Sequence, residues 1–294
     1  MTPTNNFLSL DESIVLIGDA LKILKKIPSN SIQCVVTSPP YWGMRDYGSI
    51  DEIGAEPTID EYLNDLSNIF NEINRVLKAD GLLWLNIGDT YTSGNRKYRA
   101  QDKKNPARGM QSRPDTPKGL KPKDLIGLPW RLAFLLQKDG WYLRSDIIWY
   151  KPNAMPESVK DRPNRNHEYI FMFSKSEKYF FNQDSLIDKS GKRKRSVWEV
   201  PIKANNLKHN AIFPKDLITP CIKSSTNLGD LVLDPFFGSG TVGLVCEELN
   251  RKYIGIELNP QYIDIALIRL NNLSSVIKFV DQPEFDSIHR LVEA

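Results

Sequence analysis

The chain has 294 residues, enough for one large domain, and its 40% hydrophobic and 26% charged content is that of an ordinary globular protein. No run approaches the roughly 20 apolar residues that span a bilayer, and Met1 to Asn6 shows no signal-peptide pattern, so an intracellular, cytoplasmic protein is expected. The cysteines Cys34, Cys221 and Cys246 lie far apart, which argues against a disulfide framework or a metal site and for packing roles.

In chain order, Ile14 to Ile17 reads as a strand, Ala20 to Ile27 as a helix and Ile32 to Thr37 as a second strand. Helical spacing then places Tyr62, Leu66, Ile69, Phe70, Ile73, Val76 and Leu77 on one face of a helix over 59–77. Asp80-Gly81 stops it, and Leu82 to Ile87 follows as a strand. A polar stretch runs from Gly88 to Lys123. Helix returns over 124–138, strands over 141–150 and 168–174, and an irregular polar region over 176–212. Lys215 to Ser225 is helical. Strand 231–233, helix 241–249, strand 253–256 and helix 260–270 form a βαβα unit, with Pro260 in the first turn of the last helix. This alternation predicts an α/β fold with a mainly parallel sheet.

Charge is concentrated. From Ser93 to Lys123 ten basic residues face Asp102 and Asp115, a local +8 in a chain whose net charge is +3, so the rest carries −5. Lys189, Lys192, Arg193, Lys194 and Arg195 form a second basic run. Such clusters suit a polyanionic partner, or are solvated loops.

Two motifs carry chemistry. Asp234-Pro-Phe-Phe-Gly-Ser-Gly-Thr-Val-Gly243 follows a strand and opens a helix, with Gly238, Gly240 and Gly243 in G-x-G-x-x-G spacing. Glu257 ends the next strand, where a carboxylate can hold ribose hydroxyls, so the pair points to a nucleoside cofactor. Asp234 would repel a pyrophosphate but suits a sulfonium and an ammonium. Asp19, ending the first strand, is either an acceptor for an adenine amino group or a helix N-cap. The second motif, Ser38-Pro39-Pro40-Tyr41-Trp42, is a rigid turn that fixes carbonyls and the Ser38 hydroxyl and presents an aromatic ring.

The two motifs in this order resemble the permuted β-class DNA amino-methyltransferases, over roughly residues 13–272. The resemblance implies a Rossmann-like S-adenosylmethionine-dependent methyltransferase fold, with a mixed, mostly parallel seven-stranded sheet and a small inserted target-recognition region. It implies catalytic roles for Ser38, Pro39, Pro40 and Tyr41. It implies S-adenosyl-L-methionine contacts from Asp234, Phe236, Gly238, Ser239, Gly240, Thr241 and Glu257, with Asp19 and Phe213 as further candidates. The run His209 to Lys215 departs from the family's His-Pro-Thr-Gln-Lys-Pro-like pattern, which bears on Phe213. Ser at the first motif position implies transfer to cytosine N4 in duplex DNA by base flipping; N6-adenine transfer is the alternative. A cognate restriction endonuclease is an expected partner. The organisation implied is one catalytic domain over 1–294, with a basic DNA-contacting loop at 90–123 and a target-recognition region within 153–210. His167, His209, Arg193 and Arg195 are candidate DNA contacts there.

Cytosine C5 chemistry needs a thiolate, and the Ser38 to Tyr41 turn has none. An NAD-binding oxidoreductase, a silent DNA-binding module, and an RNA or protein substrate remain as alternatives. Trp130, Trp141, Trp149 and Trp198 read as core residues, and Trp42 as a candidate base-stacking residue.

Overall fold

The computed structural model describes residues 13–43, 52–92, 114–187, 190–202, 213–270 and 276–279. The basic residues of 93–113, together with Lys189 and His209, lie outside them.

The strands are β1 (Ile14–Ile17), β2 (Ile32–Thr37), β3 (Leu77–Ile87), β4 (Tyr142–Tyr150), β5 (His167–Ser174), β6 (Val197–Glu199), β7 (Leu231–Asp234), β8 (Lys252–Glu257) and β9 (Val276–Phe279). The helices are α1 (Ala20–Leu24), α2 (Ile59–Val76), α3 (Leu128–Lys138), α4 (Lys215–Ser225), α5 (Thr241–Glu248) and α6 (Pro260–Leu270). One sheet runs in the order β6-β4-β5-β3-β2-β7-β8-β1-β9. Short β6 and β9 bring it to nine strands where seven were expected. Strand β1 lies between β8 and β9.

Helices α1, α2 and α3 bury their apolar stripes with Leu16, Val35, Leu83 and Leu233 in one core cluster. Helices α4, α5 and α6 pack with Val15, Cys34, Val36 and Val232 in another. Every residue of β1, β2 and β7 is buried, because covering both faces removes the polar alternation of a one-sided sheet. The three cysteines lie in this interior as expected, and burial pushes the Cys34 thiol up to about 12.

Local signals set most boundaries. Thr58 and Glu61 form a reciprocal capping box that starts α2, an arrangement worth about 1 kcal/mol. Three expectations shift. Helix α3 begins at Leu128 rather than 124, because Gly127 is left-handed (φ 73°) and Asp89 accepts the first amides of the helix. Asp80-Gly81 does not stop α2. The chain turns extended at Leu77, and β3 passes through Asp80-Gly81 with a register shift against β2. Gly81 is needed there, since a Cβ would sit 2.9 Å from the Gln33 carbonyl oxygen. Trp42 is core, not an exposed platform: it is 3% exposed and its indole donates to the Glu56 carbonyl at 2.9 Å.

The direction of β5 matters most. It pairs antiparallel with both β3 and β4, whereas the other pairings are parallel. Its first residues, His167 and Glu168, therefore stand level with the carboxyl ends of β2, β3 and β4.

Candidate active site

Both motifs lie at the carboxyl ends of adjacent strands. Strands β2 and β7 pair in parallel, Cys34 with Val232 and Val35 with Leu233. Thr37, the residue before Ser38, donates from its hydroxyl to Asp234 Oδ1 at 2.8 Å. This buried bond joins the two motifs across 197 residues of sequence.

The Gly-rich turn is braced from below. Phe237 is buried and stacks on Tyr253, with ring centroids 5.8 Å apart. A Cβ on Gly255 would lie 2.4 Å from the Phe237 ring, so glycine in β8 makes room for the plug. Gly240 starts α5 in the left-handed region (φ 78°). The Gly238 amide donates to Glu257 Oε2 and the Asn259 amide to Glu257 Oε1, both at 2.8 Å. Arg269 of α6 donates to the Ser239 carbonyl and hydroxyl, each at 2.5 Å, and to the Thr241 hydroxyl at 3.2 Å. Arg269 was not foreseen, since a lone arginine in a helix carries no local signature.

The carboxyls of Asp234 and Glu257 are both pushed above their ordinary values. Asp234 is 1% exposed. Burial drives its carboxyl up to about 7, opposed by the Thr37 hydroxyl and the Phe236 amide, with the Glu257 charge adding to the rise. Both donors reach the same oxygen, Oδ1. Burial also raises Glu257, against the amides of Asn259, Gly238 and Leu258. A buried and a half-buried carboxyl whose described partners include no cation fit a ligand with positive charge and hydroxyl donors, and disfavour one with phosphates.

The other candidates lie around this turn with different tasks. Asp19 caps α1, accepting the Lys22 amide at 2.8 Å. It still stands beside Glu257, because the Gly18 amide donates to the Glu257 carbonyl at 2.9 Å. Phe236 is half-buried against the cluster of α1 to α3. Phe213 is half-buried against the cluster that holds Phe237 and Val242.

At the Ser-Pro-Pro-Tyr turn, Pro39 is buried, and Ser38, Pro40 and Tyr41 are half-buried. Tyr62 of α2 donates to the Pro40 carbonyl at 2.8 Å. The Tyr41 ring lies against Gly88, where a Cβ would come within 2.8 Å of it. The Tyr41 hydroxyl donates to Glu168 Oε2 at 2.9 Å, and Ser38 Oγ donates to the Tyr41 oxygen at 3.4 Å. Asn86 Nδ2 also donates to Glu168 Oε2, at 3.1 Å. Lys151 closes the cluster with an ion pair to Glu168 Oε1, its ammonium 4.1 Å from the centre of the Trp149 ring. Burial pushes the Glu168 carboxyl up, but Lys151, Tyr41 and Asn86 outweigh it and hold the carboxyl below its ordinary value. Glu168, Lys151 and Asn86 escaped the sequence reading. Asn86 and Glu168 showed only as polar residues in apolar strands, and Lys151 as one directly after such a strand.

Of the candidate DNA contacts, Arg193 and Arg195 are exposed. His167 is half-buried, edge-on to Tyr169 at 5.6 Å. Its pKa is lowered by burial first, then by Arg165 and Lys151, which favours a neutral imidazole. Between Lys151 and Asn166 the chain is pinned by Glu157 to Arg162 at 2.5 Å, Lys123 to Asp161 at 2.6 Å and Arg162 over the Tyr91 ring at 3.7 Å. No helix among the described residues is long and apolar enough to cross a membrane.

A family model described as DNA methylase, for N6 and N4 methyltransferases, matches residues 32–267. Type II methyltransferase M.Cfr9I of Citrobacter freundii is 61% identical over 90% of this chain and 89% of its own length. Type II methyltransferase M.SmaI of Serratia marcescens is 52% identical over 87% and 90%. Among solved structures, PvuII DNA methyltransferase (cytosine-N4-specific) superposes with a TM-score of 0.68 at 25% identity, covering 90% of this chain and 88% of that one. A putative DNA modification methylase from Thermus thermophilus, complexed with S-adenosyl-L-methionine, shares the fold with a TM-score of 0.65 at 24% identity, over 92% and 99%. The nine-stranded sheet is thus the methyltransferase fold extended at both edges. The chain belongs to the N6/N4 DNA methylase family and is an S-adenosyl-L-methionine-dependent DNA methyltransferase.

Proposed function

We propose that the chain transfers a methyl group to the N4 amino group of cytosine in duplex DNA, acting on a base flipped out of the helix. The observation that carries this reading is the Thr37–Asp234 bond, which sets Ser38 beside the Gly-rich turn. Cytosine is favoured over adenine by serine at the first motif position and by the similarity to a cytosine-N4-specific enzyme.

The bound cofactor supplies a methyl group on a cationic sulfur. Asp234 would offer its carboxylate to the cationic end, Glu257 would accept from the ribose hydroxyls, and Asp19 would stand near the adenine. Gly238, Ser239, Gly240 and Thr241 bring backbone close to the ligand, with Phe236 and Phe213 as apolar walls. An exocyclic amine is a poor nucleophile because its lone pair is delocalised into the ring. Accepting its hydrogens at the Ser38 hydroxyl and the Pro39 carbonyl localises that pair, and Pro40 keeps the turn rigid. Positioning then counts for more than a strong base. Tyr41 stacks on the extruded base. Extrusion costs a few kcal/mol, and an aromatic stack returns about 1–3 kcal/mol.

The described residues act as one catalytic domain built on a single sheet. The basic stretch at 90–123 contacts phosphates, and the region 153–210 reads the target. A restriction endonuclease with the same target is the expected partner of such an enzyme in the cytoplasm. The test is to incubate the protein with labelled S-adenosyl-L-methionine and unmethylated genomic DNA, digest the DNA and identify the labelled nucleoside. N4-methylcytosine is expected. N6-methyladenine overturns the choice of base, and label entering RNA alone overturns the choice of DNA.

A further inference from the structure

We propose that Glu168, ion-paired to Lys151, is a positioning residue that orients the hydroxyl hydrogens of Tyr41 and Ser38 away from the substrate and receives the proton released by the target amine. This rests on the reading of Ser38 as the group that meets the amine. The argument is one of hydrogen-bond supply. An ionised carboxylate only accepts. Glu168 is held ionised and takes donors from Lys151, Asn86 and Tyr41. Tyr41 therefore spends its single hydroxyl hydrogen on Glu168 and can only accept from Ser38. Ser38 in turn spends its hydrogen on Tyr41, so lone pairs of Ser38 Oγ are what it presents to the substrate. Without this polarity the hydroxyl could point its hydrogen at the amine, which has hydrogens of its own.

The same chain gives the proton a path. When the amine nitrogen has been alkylated, its N–H bond breaks and a new O–H bond forms at Ser38 Oγ. The original Ser38 proton moves to the Tyr41 oxygen, and the Tyr41 proton moves to Glu168, which ends as a neutral carboxylic acid. Release of that proton to water restores the starting state. The Ser38–Tyr41 distance of 3.4 Å is long for two hydroxyls, as catalytic bonds often are before substrate binds. Lys151 is fixed by the Trp149 ring and by Glu168, so the negative end of the relay is anchored to β4 and β5, and not to the tip of a loop.

The test uses the full chain with genomic DNA. Tyr41→Phe keeps the stacking ring and removes one hydroxyl; Glu168→Gln keeps the shape and removes the charge. Each should lower kcat by about 100-fold, within the range for positioned proton transfer. KM for DNA and calorimetric binding of S-adenosyl-L-methionine should change by less than about twofold. The double variant should be no slower than the worse single one, as expected for two members of one path. With saturating cofactor, the wild-type kcat should be flat across neutral pH, whereas the Tyr41→Phe kcat should climb with pH as solvent takes the proton. The relay is overturned if both variants keep the wild-type rate and pH profile, or if the loss falls on KM or cofactor binding instead of kcat. Should the wild type itself place no label on cytosine while binding the cofactor, the cytosine reading fails and takes the relay with it. Cytosine labelled by both variants at the wild-type rate sinks the relay alone.

Discussion

The cofactor end and the reaction end of the cleft are built in different ways. The cofactor end is a contiguous turn whose contacts are mostly backbone: the amides of Gly238 and Asn259 on Glu257, the amide of Phe236 on Asp234, and glycines wherever a Cβ would strike Phe237. The reaction end is a set of side chains from β3, β4, β5 and the turn after β2, with Tyr41 and Glu168 separated by 127 residues. One end is written locally, the other by topology. The first should fail through loss of binding, the second through loss of rate.

The largest effect expected at the reaction end is that of Ser38→Ala. Removing the acceptor should cost about a thousand-fold in single-turnover rate while calorimetry shows cofactor binding unchanged. A matching loss of cofactor affinity would show that the two ends are one unit.

Asp234→Asn should do the reverse. Losing a charge-assisted contact of about 1.5–3 kcal/mol weakens cofactor binding by roughly ten- to a hundred-fold. A pH series sharpens this. The Asp234 carboxyl is raised to about 7 in the ligand-free protein, and a cationic ligand prefers it ionised, so wild-type affinity should rise with pH through about 7 and flatten in the variant. Ligand-free stability has the opposite slope. The folded state holds a proton that the unfolded chain releases near its ordinary value of 3.8, so this contribution is complete at low pH and is lost as pH rises through about 7. Thermal melts of Asp234→Asn should therefore exceed wild type most above neutrality. A constant difference at all pH values would contradict the account.

Gly88→Ala tests the link between backbone and reaction end. Its Cβ would meet the Tyr41 ring at 2.8 Å, and that ring is tethered through its hydroxyl to Glu168. Displacing the stack should raise KM for DNA about tenfold, consistent with losing part of the roughly 1–3 kcal/mol of an aromatic stack. An unchanged KM would remove Tyr41 from base capture. The smallest change is expected outside both ends. Neutralising Lys103, Lys104 and Arg108 should flatten the salt dependence of DNA binding by about one unit of slope per lost phosphate contact, with catalysis at saturating DNA intact.

The same contrast explains what could be read from the sequence. The Gly-rich turn and its βαβα setting were legible because strand, turn, helix and acid follow each other within residues 231–270. The pairing of β2 with β7 is what the family resemblance of the two motifs implies. Glu168 could not. Its meaning depends on β5 running against its neighbours, and an apolar run such as Tyr169 to Phe173 does not encode strand direction. Trp42 misled for a related reason: it follows the motif in sequence, but its indole turns into the core to reach Glu56. The start of α3 was misplaced because Asp89, far earlier in the chain, supplies the cap.

The most direct test of the central claim is to express wild type and Ser38→Ala in a host that lacks N4-methylcytosine and to measure its genomic nucleosides by mass spectrometry. The account predicts N4-methylcytosine in cells with the wild type and a far lower level in cells with Ser38→Ala. N6-methyladenine in place of N4-methylcytosine, or equal levels of N4-methylcytosine from both proteins, would contradict it.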